Sequence, residues 1–261
     1  MKKLKFTKMV GSGNDFIIIQ GKPSGNLPKL AEKLCDRKFG IGADGVLLLD
    51  KCRGVDLNMR IFNADGSEAE MCGNGARCAA FFSGKAKGRL RTAAGIINTE
   101  VQGNQVKIQL IAPKDIKLDI PLIVSGRLLK VNFINTGVPH VVVFVNDINN
   151  LDVKHIGCCI RNHPEFSPRG TNVDFVEERE KNLIQVRTYE RGVEDETLAC
   201  GTGSTASALI FALKNNLDNL IKVKTQSGET LKVYFQNANG EFKKIWLEGS
   251  VRIVYKGECY V

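Results

Sequence analysis

The chain carries one sequence plan twice, once in each half. In both copies an arginine in an apolar run is followed by a polar loop with a glycine, then by Cys-Gly-x-Gly and an alanine-rich stretch. The arginine precedes the cysteine by 12 residues in the first copy (Arg60, Cys72) and by 13 in the second (Arg187, Cys200). The two cysteines stand 128 residues apart in a chain of 261. Because Cys-Gly-x-Gly alone is a weak pattern, the ordered spacing carries the argument, and it predicts two similar domains produced by duplication.

Strands predominate in the predicted secondary structure, because short β-branched runs alternate with turn residues. These runs are Phe16–Ile19, Val46–Leu49, Val106–Ile108, Val141–Val145, Val173–Val176 and Ile184–Val186. Helical spacing occurs over Leu27–Lys38, and two more helices are expected after the glycine clusters that follow Cys72 and Cys200. The second of these, Ser204–Leu213, carries no charge, which predicts a central helix wrapped by the strands of its own domain.

The sequence thus predicts the α/β class (α+β type) with two mixed domains. The boundary is expected near Ala112–Lys114, so that the domains span 1–112 and 113–249. The sequence leaves open whether the last strand, 250–261, returns to the first domain.

Composition narrows the class of protein. With 43% apolar and 25% charged residues, the chain is not disordered, collagen-like or a coiled coil. Its longest apolar runs, such as Val141–Val145, are far shorter than the ~20 residues of a membrane-spanning helix. The basic start of the chain lacks the apolar segment of a signal peptide, so a cytoplasmic location and no membrane partner are expected.

The net charge of +9 is interpreted as a lysine-rich surface rather than a nucleic-acid site. The densest basic cluster, Lys85–Arg91, has no interleaved aromatic residue on which bases could stack. The eight cysteines contain no Cys-x-x-Cys pair, and the three histidines are not spaced as partners of a cysteine zinc site. No metal site is therefore expected, and most of the thiols are expected to be small buried hydrophobic groups.

Cys72 and Cys200 are the exceptions, since each precedes a predicted helix. A helix N-terminus stabilises a thiolate, and its unpaired N–H groups can hold a carboxylate. Two such thiols on opposite faces of a carbon acid could invert a stereocentre, one removing a proton and the other delivering one. A redox pair that forms a reversible disulfide is the competing interpretation.

Seven segments, in order over nearly the whole chain, closely resemble the diaminopimelate epimerase family. They are Gly13–Phe16, Gly40–Gly45, Asn63–Glu68, Met71–Cys78, Asn135–His140, Asn172–Phe175 and Arg187–Gly203. The resemblance implies two pseudo-symmetric domains, each a barrel-like mixed sheet around a central helix. It also implies an isomerase of lysine biosynthesis that uses no cofactor, neither pyridoxal phosphate nor metal, and acts as a homodimer.

The resemblance also implies roles for individual residues. Cys72 and Cys200 match the catalytic cysteines, and His140 and Glu190 match groups that adjust the thiol pKa values. The substrate-binding positions match Asn14, Asn63, Gly73, Asn74, Asn172, Glu190, Arg191, Gly201 and Thr202. Gly73, Asn74, Gly201 and Thr202 would hold the carboxylate at the reacting carbon. Several others would recognise the distal amino acid end of the substrate, with Arg191 gripping a carboxylate and Glu190 and the asparagines accepting from an ammonium.

This sequence departs from the family pattern at two positions. Some members carry Gln where Gly45 stands and Asn where Val138 stands, so both positions are excluded from the expected site. Three alternatives stay open on the residues. They are a proline or hydroxyproline racemase of the same superfamily, a thiol redox protein, and a nucleic-acid-binding module.

Overall fold

The computed structural model of the chain describes residues 3–23, 25–238 and 240–260. Its α-helices are α1 (Leu27–Cys35), α2 (Gly73–Phe82), α3 (Val153–Arg161) and α4 (Gly201–Lys214), and a short 3-10 helix covers Pro164–Phe166. The strands are β1 (Lys3–Gly11), β2 (Asn14–Gln20), β3 (Gly45–Cys52), β4 (Val55–Asn63), β5 (Glu68–Ala69), β6 (Lys87–Thr92), β7 (Gly95–Gln102), β8 (Gln105–Gln109), β9 (Lys114–Val124), β10 (Arg127–Asn135), β11 (Pro139–Phe144), β12 (Asn172–Glu180), β13 (Leu183–Glu190), β14 (Asp195–Thr197), β15 (Asn219–Lys224), β16 (Thr230–Ala238) and β17 (Glu241–Tyr260).

The chain divides into two compact units. Unit 1 consists of Met1–Gln109 with Gly249–Val261, and unit 2 consists of Leu110–Glu248. The long strand β17 belongs to both, since it starts in unit 2 and ends in unit 1.

The sheet of unit 1 closes on itself around α2. Its pairings run β1–β2–β3–β4–β6–β7–β8–β17, and β17 pairs back with β1 from Lys3↔Tyr260 to Gly11↔Val251. Helix α2 contacts β1, β2, β3, β4, β6, β7 and β8, which surround it. A helix enclosed in this way has no solvent face, so its buried residues occupy every side from Asn74 to Ala80.

Unit 2 repeats the plan around α4. Its strands pair in the row β9–β10–β11–β12–β13–β15–β16–β17, and α4 contacts β10, β11, β12, β13, β15 and β16. The uncharged stretch of α4 is buried continuously from Gly203 to Ala212. This confirms the central helix that the absence of charge predicted.

A second helix covers the outer face of each sheet, which explains the continuous apolar runs. In unit 1, Ile17 and Ile19 of β2 pack with Ala31 and Leu34 of α1, while the alternate residue Ile18 is buried on the other face. In unit 2, Val173 and Phe175 pack with Val153 and Ile160 of α3. Strands buried on both faces lose the alternation of polar and apolar residues that half-exposed strands show.

All six runs predicted as strands lie in strands, although β11 ends at Phe144, one residue before the predicted end. The prediction for the first helix is wrong at its C-terminus, because α1 ends at Cys35 rather than at Lys38. The cause is Asp36, whose carboxylate accepts from the backbone N–H groups of Lys38 and Phe39 and turns the chain out of the helix. In the part of the chain that the structure describes, no helix is both long and apolar enough to span a bilayer.

Candidate active site

The first half-site is built at the start of α2. Cys72 is the N-cap residue in extended conformation, and its Sγ accepts from the backbone N–H of Gly75 at 3.4 Å. Gly73 and Asn74 form the first turn, where backbone N–H groups point out of the N-terminal end of the helix. The thiol and a cluster of backbone donors therefore lie at one helix end, as the sequence predicted.

Asn14 and Asn74 are joined by a hydrogen bond between their amides. Asn74 Nδ2 donates to Asn14 Oδ1 at 2.5 Å, and Asn14 Nδ2 donates to Asp44 Oδ2 at 3.0 Å. Asn74 Oδ1 in turn accepts from the buried guanidinium of Arg77 at 2.6 Å. The second N–H of Asn14 Nδ2 has no partner among the residues that the structure describes, and such a donor suits a carboxylate.

A network of charged side chains supports this amide pair. Lys8 is buried, binds the carbonyl of Gly42 and lies 2.8 Å from the Asp15 carboxylate. Arg37 binds Asp15 at 2.9 and 3.2 Å and Asp44 at 2.7 Å. Burial by itself would raise the pKa of Asp15, but the hydrogen bonds from Arg37 and Lys8 outweigh it and lower that pKa to about 2.

Asp15→Asn is expected to lower the free energy of unfolding by about 1–2 kcal/mol at neutral pH, a figure reduced for partial exposure. Because the folded-state pKa lies below the ordinary value of 3.8, this contribution is present above that value and is lost as pH falls toward about 2. Urea unfolding of both proteins between neutral and acid pH measures the difference. A gap between wild type and variant that does not shrink on acidification would contradict the assignment.

Asn63 ends β4 with a different set of contacts. Its Nδ2 donates to Ser67 Oγ at 2.9 Å, while its Oδ1 has no partner among the residues that the structure describes, which suits an ammonium. Its partner in register is Gly45, where an added Cβ would lie 2.8 Å from the carbonyl oxygen of Phe62. A side chain at position 45 would therefore require the local backbone to shift.

The second half-site has the same construction at the start of α4. Cys200 is the N-cap residue, and its Sγ accepts from the backbone N–H of Gly203 at 3.4 Å, as Cys72 does from Gly75. Its Sγ also lies 3.4 Å from Thr202 Oγ1. Gly201 and Thr202 supply the first-turn backbone here.

Asn172 and Arg191 are connected through the backbone. Asn172 Oδ1 accepts from the backbone N–H of Arg191 at 2.9 Å, and its Nδ2 donates to the carbonyl of Pro139 at 3.0 Å. Among the residues that the structure describes, the Arg191 guanidinium makes one weak hydrogen bond, to the carbonyl of Arg169 at 3.4 Å. Its remaining donors suit a carboxylate.

His140 is fully buried and forms a hydrogen bond with the side chain of Asp174. Its Nδ1 lies 2.7 Å from Asp174 Oδ2, and Thr188 donates to Asp174 Oδ1 at 2.7 Å. Strand register explains the grouping, since His140 pairs with Asn172 and Asp174 pairs with Thr188. Two-residue alternation then places Asn172 and Asp174 on one face of β12.

The electrostatics of the second half-site favour the neutral thiol. Burial raises the pKa of Cys200 well above the ordinary value, and the carboxylates of Glu190 and Asp174 raise it further. Burial likewise raises the pKa of Glu190, and the carboxylate of Asp174 acts in the same direction. The hydrogen bonds from Thr202 and Gly203 favour the Cys200 thiolate but are outweighed. At Cys200, burial and the two carboxylates therefore oppose the stabilisation that the helix start gives a thiolate.

The structure thus groups the predicted residues by unit. Asn14, Gly73 and Asn74 gather near Cys72, whereas His140, Asn172, Glu190, Arg191, Gly201 and Thr202 gather near Cys200. Sequence reasoning missed Asp44 and Asp174, which orient predicted site residues. The alternation of β12 carried the signal for Asp174, since it shares a strand face with Asn172.

Comparison with known proteins decides the family. The model of the family described as "Diaminopimelate epimerase" matches residues 6–115 and 132–254. The chain belongs to the diaminopimelate epimerase family. It is 42% identical to the diaminopimelate epimerase of Aquifex aeolicus over 97% of both chains. It is 41% identical to that of Methanocella arvoryzae over 100% of this chain and 98% of the relative. The predicted family and isomerase class are confirmed.

Solved structures share the fold at low sequence identity. A PhzF-family phenazine biosynthesis protein from Bacillus anthracis matches with a TM-score of 0.77 at 19% identity over 100% of both chains. A probable proline racemase from Agrobacterium radiobacter matches with a TM-score of 0.69 at 18% identity over 99% of this chain and 92% of the other. The predicted fold class, shared by diaminopimelate epimerases and these proteins, is confirmed.

Proposed function

We propose that the chain interconverts LL-2,6-diaminopimelate and meso-diaminopimelate in lysine biosynthesis, with Cys72 and Cys200 as the two catalytic groups. The observation that carries the proposal is the equivalence of the two helix starts. In each, a cysteine caps a central helix, and its Sγ accepts a backbone N–H from the glycine three residues later at 3.4 Å.

The proposed reaction needs one thiolate and one thiol. The thiolate removes the α-proton, and the electron pair left on carbon delocalises into the substrate carboxylate, which backbone N–H groups at the helix starts stabilise. The thiol gives its proton to the opposite face of that carbon. The two sulfurs have then exchanged protonation states, and the reverse reaction starts from that form.

The remaining residues divide between the two ends of the substrate. Gly73, Asn74, Gly201 and Thr202 would bind the reacting carboxylate. Arg191 would bind the distal carboxylate, and the Oδ1 of Asn63 and the carboxylate of Glu190 suit its ammonium. Asn14 and Asn172 would each contribute an N–H donor.

Turnover of a panel of amino acids tests the substrate. We expect LL-diaminopimelate to be epimerised at least about a thousandfold faster than L-proline or trans-4-hydroxy-L-proline, because a cyclic substrate leaves the distal polar groups unpaired. Proline turnover at the faster rate would support the racemase alternative. A protein that turns over none of them and cycles a disulfide would support the redox alternative.

Arg191→Lys is expected to raise KM for LL-diaminopimelate about tenfold with a smaller effect on kcat. Lysine keeps the positive charge but loses the two-pronged geometry that matches a carboxylate. Steady-state kinetics measure the effects on KM and kcat separately. A fall in kcat at unchanged KM would place Arg191 at the reacting centre instead.

We also propose that the protein acts as a cytoplasmic homodimer. Membership of the family supports both points. Sedimentation equilibrium of the purified chain tests the first, with a dimer mass expected and a monomer mass contradicting it. Fractionation of cells that express the chain tests the second.

A further inference from the structure

The two half-sites differ sharply beneath their matching helix starts. Gly203 in α4 faces Asp174 and Thr188, since an added Cβ would lie 2.2 Å from Asp174 Oδ1 and 3.2 Å from Thr188 Oγ1. Gly75, its counterpart in α2, faces the side chains of Leu47 and Ile61 instead.

Strand register shows that these positions are equivalent. Asp174 pairs with Thr188 in unit 2, as Leu47 pairs with Ile61 in unit 1. One strand further along, His140 pairs with Asn172, as Phe16 pairs with Gly45. A buried polar trio, His140, Asp174 and Thr188, therefore occupies the place that three apolar side chains fill in the other half.

The hydrogen bonds of this trio determine which nitrogen of His140 carries a proton. The Asp174 carboxylate accepts from Thr188 at one oxygen, and its other oxygen lies 2.7 Å from His140 Nδ1. A carboxylate fixes the proton of a neutral imidazole on the nitrogen that faces it. The second nitrogen, Nε2, is buried and has no hydrogen-bond partner among the residues that the structure describes.

We propose that Asp174 is a positioning residue that holds His140 in its Nδ1–H form, leaves Nε2 as an open proton acceptor, and makes the Cys200 half-site chemically unlike that of Cys72. This difference between the two half-sites suits a reaction that must begin with one thiol and one thiolate. The assignment rests on the proposed function only in taking Cys200 as a reacting group.

Other charged groups act on the same half-site. Glu190 and Asp174 both raise the pKa of Cys200, and Asp174 also raises the pKa of Glu190. Asp174 is the one that bonds directly to His140 and lies against the first turn of α4. Its substitution therefore disrupts the trio and leaves the Glu190 side chain in place.

The tautomer is read from the wild-type protein by nitrogen-15 NMR of labelled histidines, above the ordinary histidine pKa. His140→Gln identifies the His140 signal. We expect Nδ1 to be the protonated nitrogen in the wild type, and we expect that preference to be lost in Asp174→Ala, while His155 and His163 stay unchanged as internal controls. A wild-type Nε2–H form, or an identical His140 spectrum in Asp174→Ala, would overturn the proposal.

Alkylation by iodoacetamide provides a second readout that folding alone would not move. The rate at Cys200 is divided by the rate at Cys72 in the same molecule, with the two peptides separated by mass spectrometry. Asp174→Asn is expected to raise this ratio about tenfold, the change produced when loss of a nearby negative charge lowers a thiol pKa by about one unit. Asp119→Asn, which removes an exposed carboxylate from unit 2, is expected to leave it unchanged.

An unchanged ratio in Asp174→Asn would overturn the proposal. If that variant fails to fold, the tautomer of His140 in the wild-type protein still tests the proposal. Neither readout uses turnover, so a protein inactive on diaminopimelate would contradict the proposed function without altering either result.

Discussion

Replacing either Cys72 or Cys200 by alanine is expected to lower the rate of epimerisation by at least about a hundredfold. Positioned proton transfer contributes about 10²–10⁴ to rates of this kind, and a methyl group can neither accept nor donate the proton. Inversion needs a group on each face of the carbon, so the loss of one thiol cannot be compensated by the other. Turnover of LL-diaminopimelate to the meso isomer measures the effect.

The matched control is Cys158→Ala, because Cys158 is an exposed cysteine on the outer helix α3. It is expected to retain the wild-type rate. Full turnover in Cys72→Ala or Cys200→Ala would contradict the two-thiol mechanism. Equal loss in Cys158→Ala would show that the assay reports general thiol damage rather than catalysis.

The second large effect is on stability. Gly203→Ala is expected to lower the free energy of unfolding by about 3 kcal/mol or more, since the new Cβ would lie 2.2 Å from Asp174 Oδ1. To relieve the overlap, Asp174 must give up its bonds to His140 and Thr188 or the start of α4 must shift. Losing a hydrogen bond to a buried charge adds a cost of about 1.5–3 kcal/mol.

Gly75→Ala is the control that the duplicated fold supplies. It is the same substitution at the equivalent place in α2, and its Cβ would lie 3.1 Å from a Leu47 methyl and 3.5 Å from an Ile61 methyl. These apolar side chains can move aside, so we expect a loss of about 1 kcal/mol or less. Urea unfolding of both variants measures the difference, and equal losses would contradict the packing described for Asp174.

Much of the fold was predictable because it depends on local patterns that occur twice. The β-branched runs predicted strands, and the uncharged stretch after Cys200 predicted an enclosed helix. The end of α1 was not predicted, because it depends on the Asp36 side chain competing for backbone N–H groups. Whether the last strand returns to the first domain was left open, since this depends on β17 pairing with β1 from the opposite end of the chain.

The site was predictable to the extent that its residues lie in recognisable motifs. The orientation of their side chains was not, because it follows from register between strands distant in sequence. Asp174 and Thr188 illustrate this, as they meet only when β12 pairs with β13. The raised pKa of Cys200 was not predictable for a related reason. A helix N-terminus is visible in a sequence, whereas the burial and carboxylates that outweigh it are properties of the folded unit.

Exchange of the α-proton in D2O tests the central claim most directly. Reduced wild-type protein is incubated with LL-diaminopimelate in D2O, and the α-proton signal is followed by NMR together with the appearance of the meso isomer. The two-thiol mechanism predicts that the meso product carries deuterium at the inverted carbon, because the second thiol has exchanged with D2O and delivers a deuteron. Meso product that retains its original α-proton, or no exchange under strong reductant, would contradict the account.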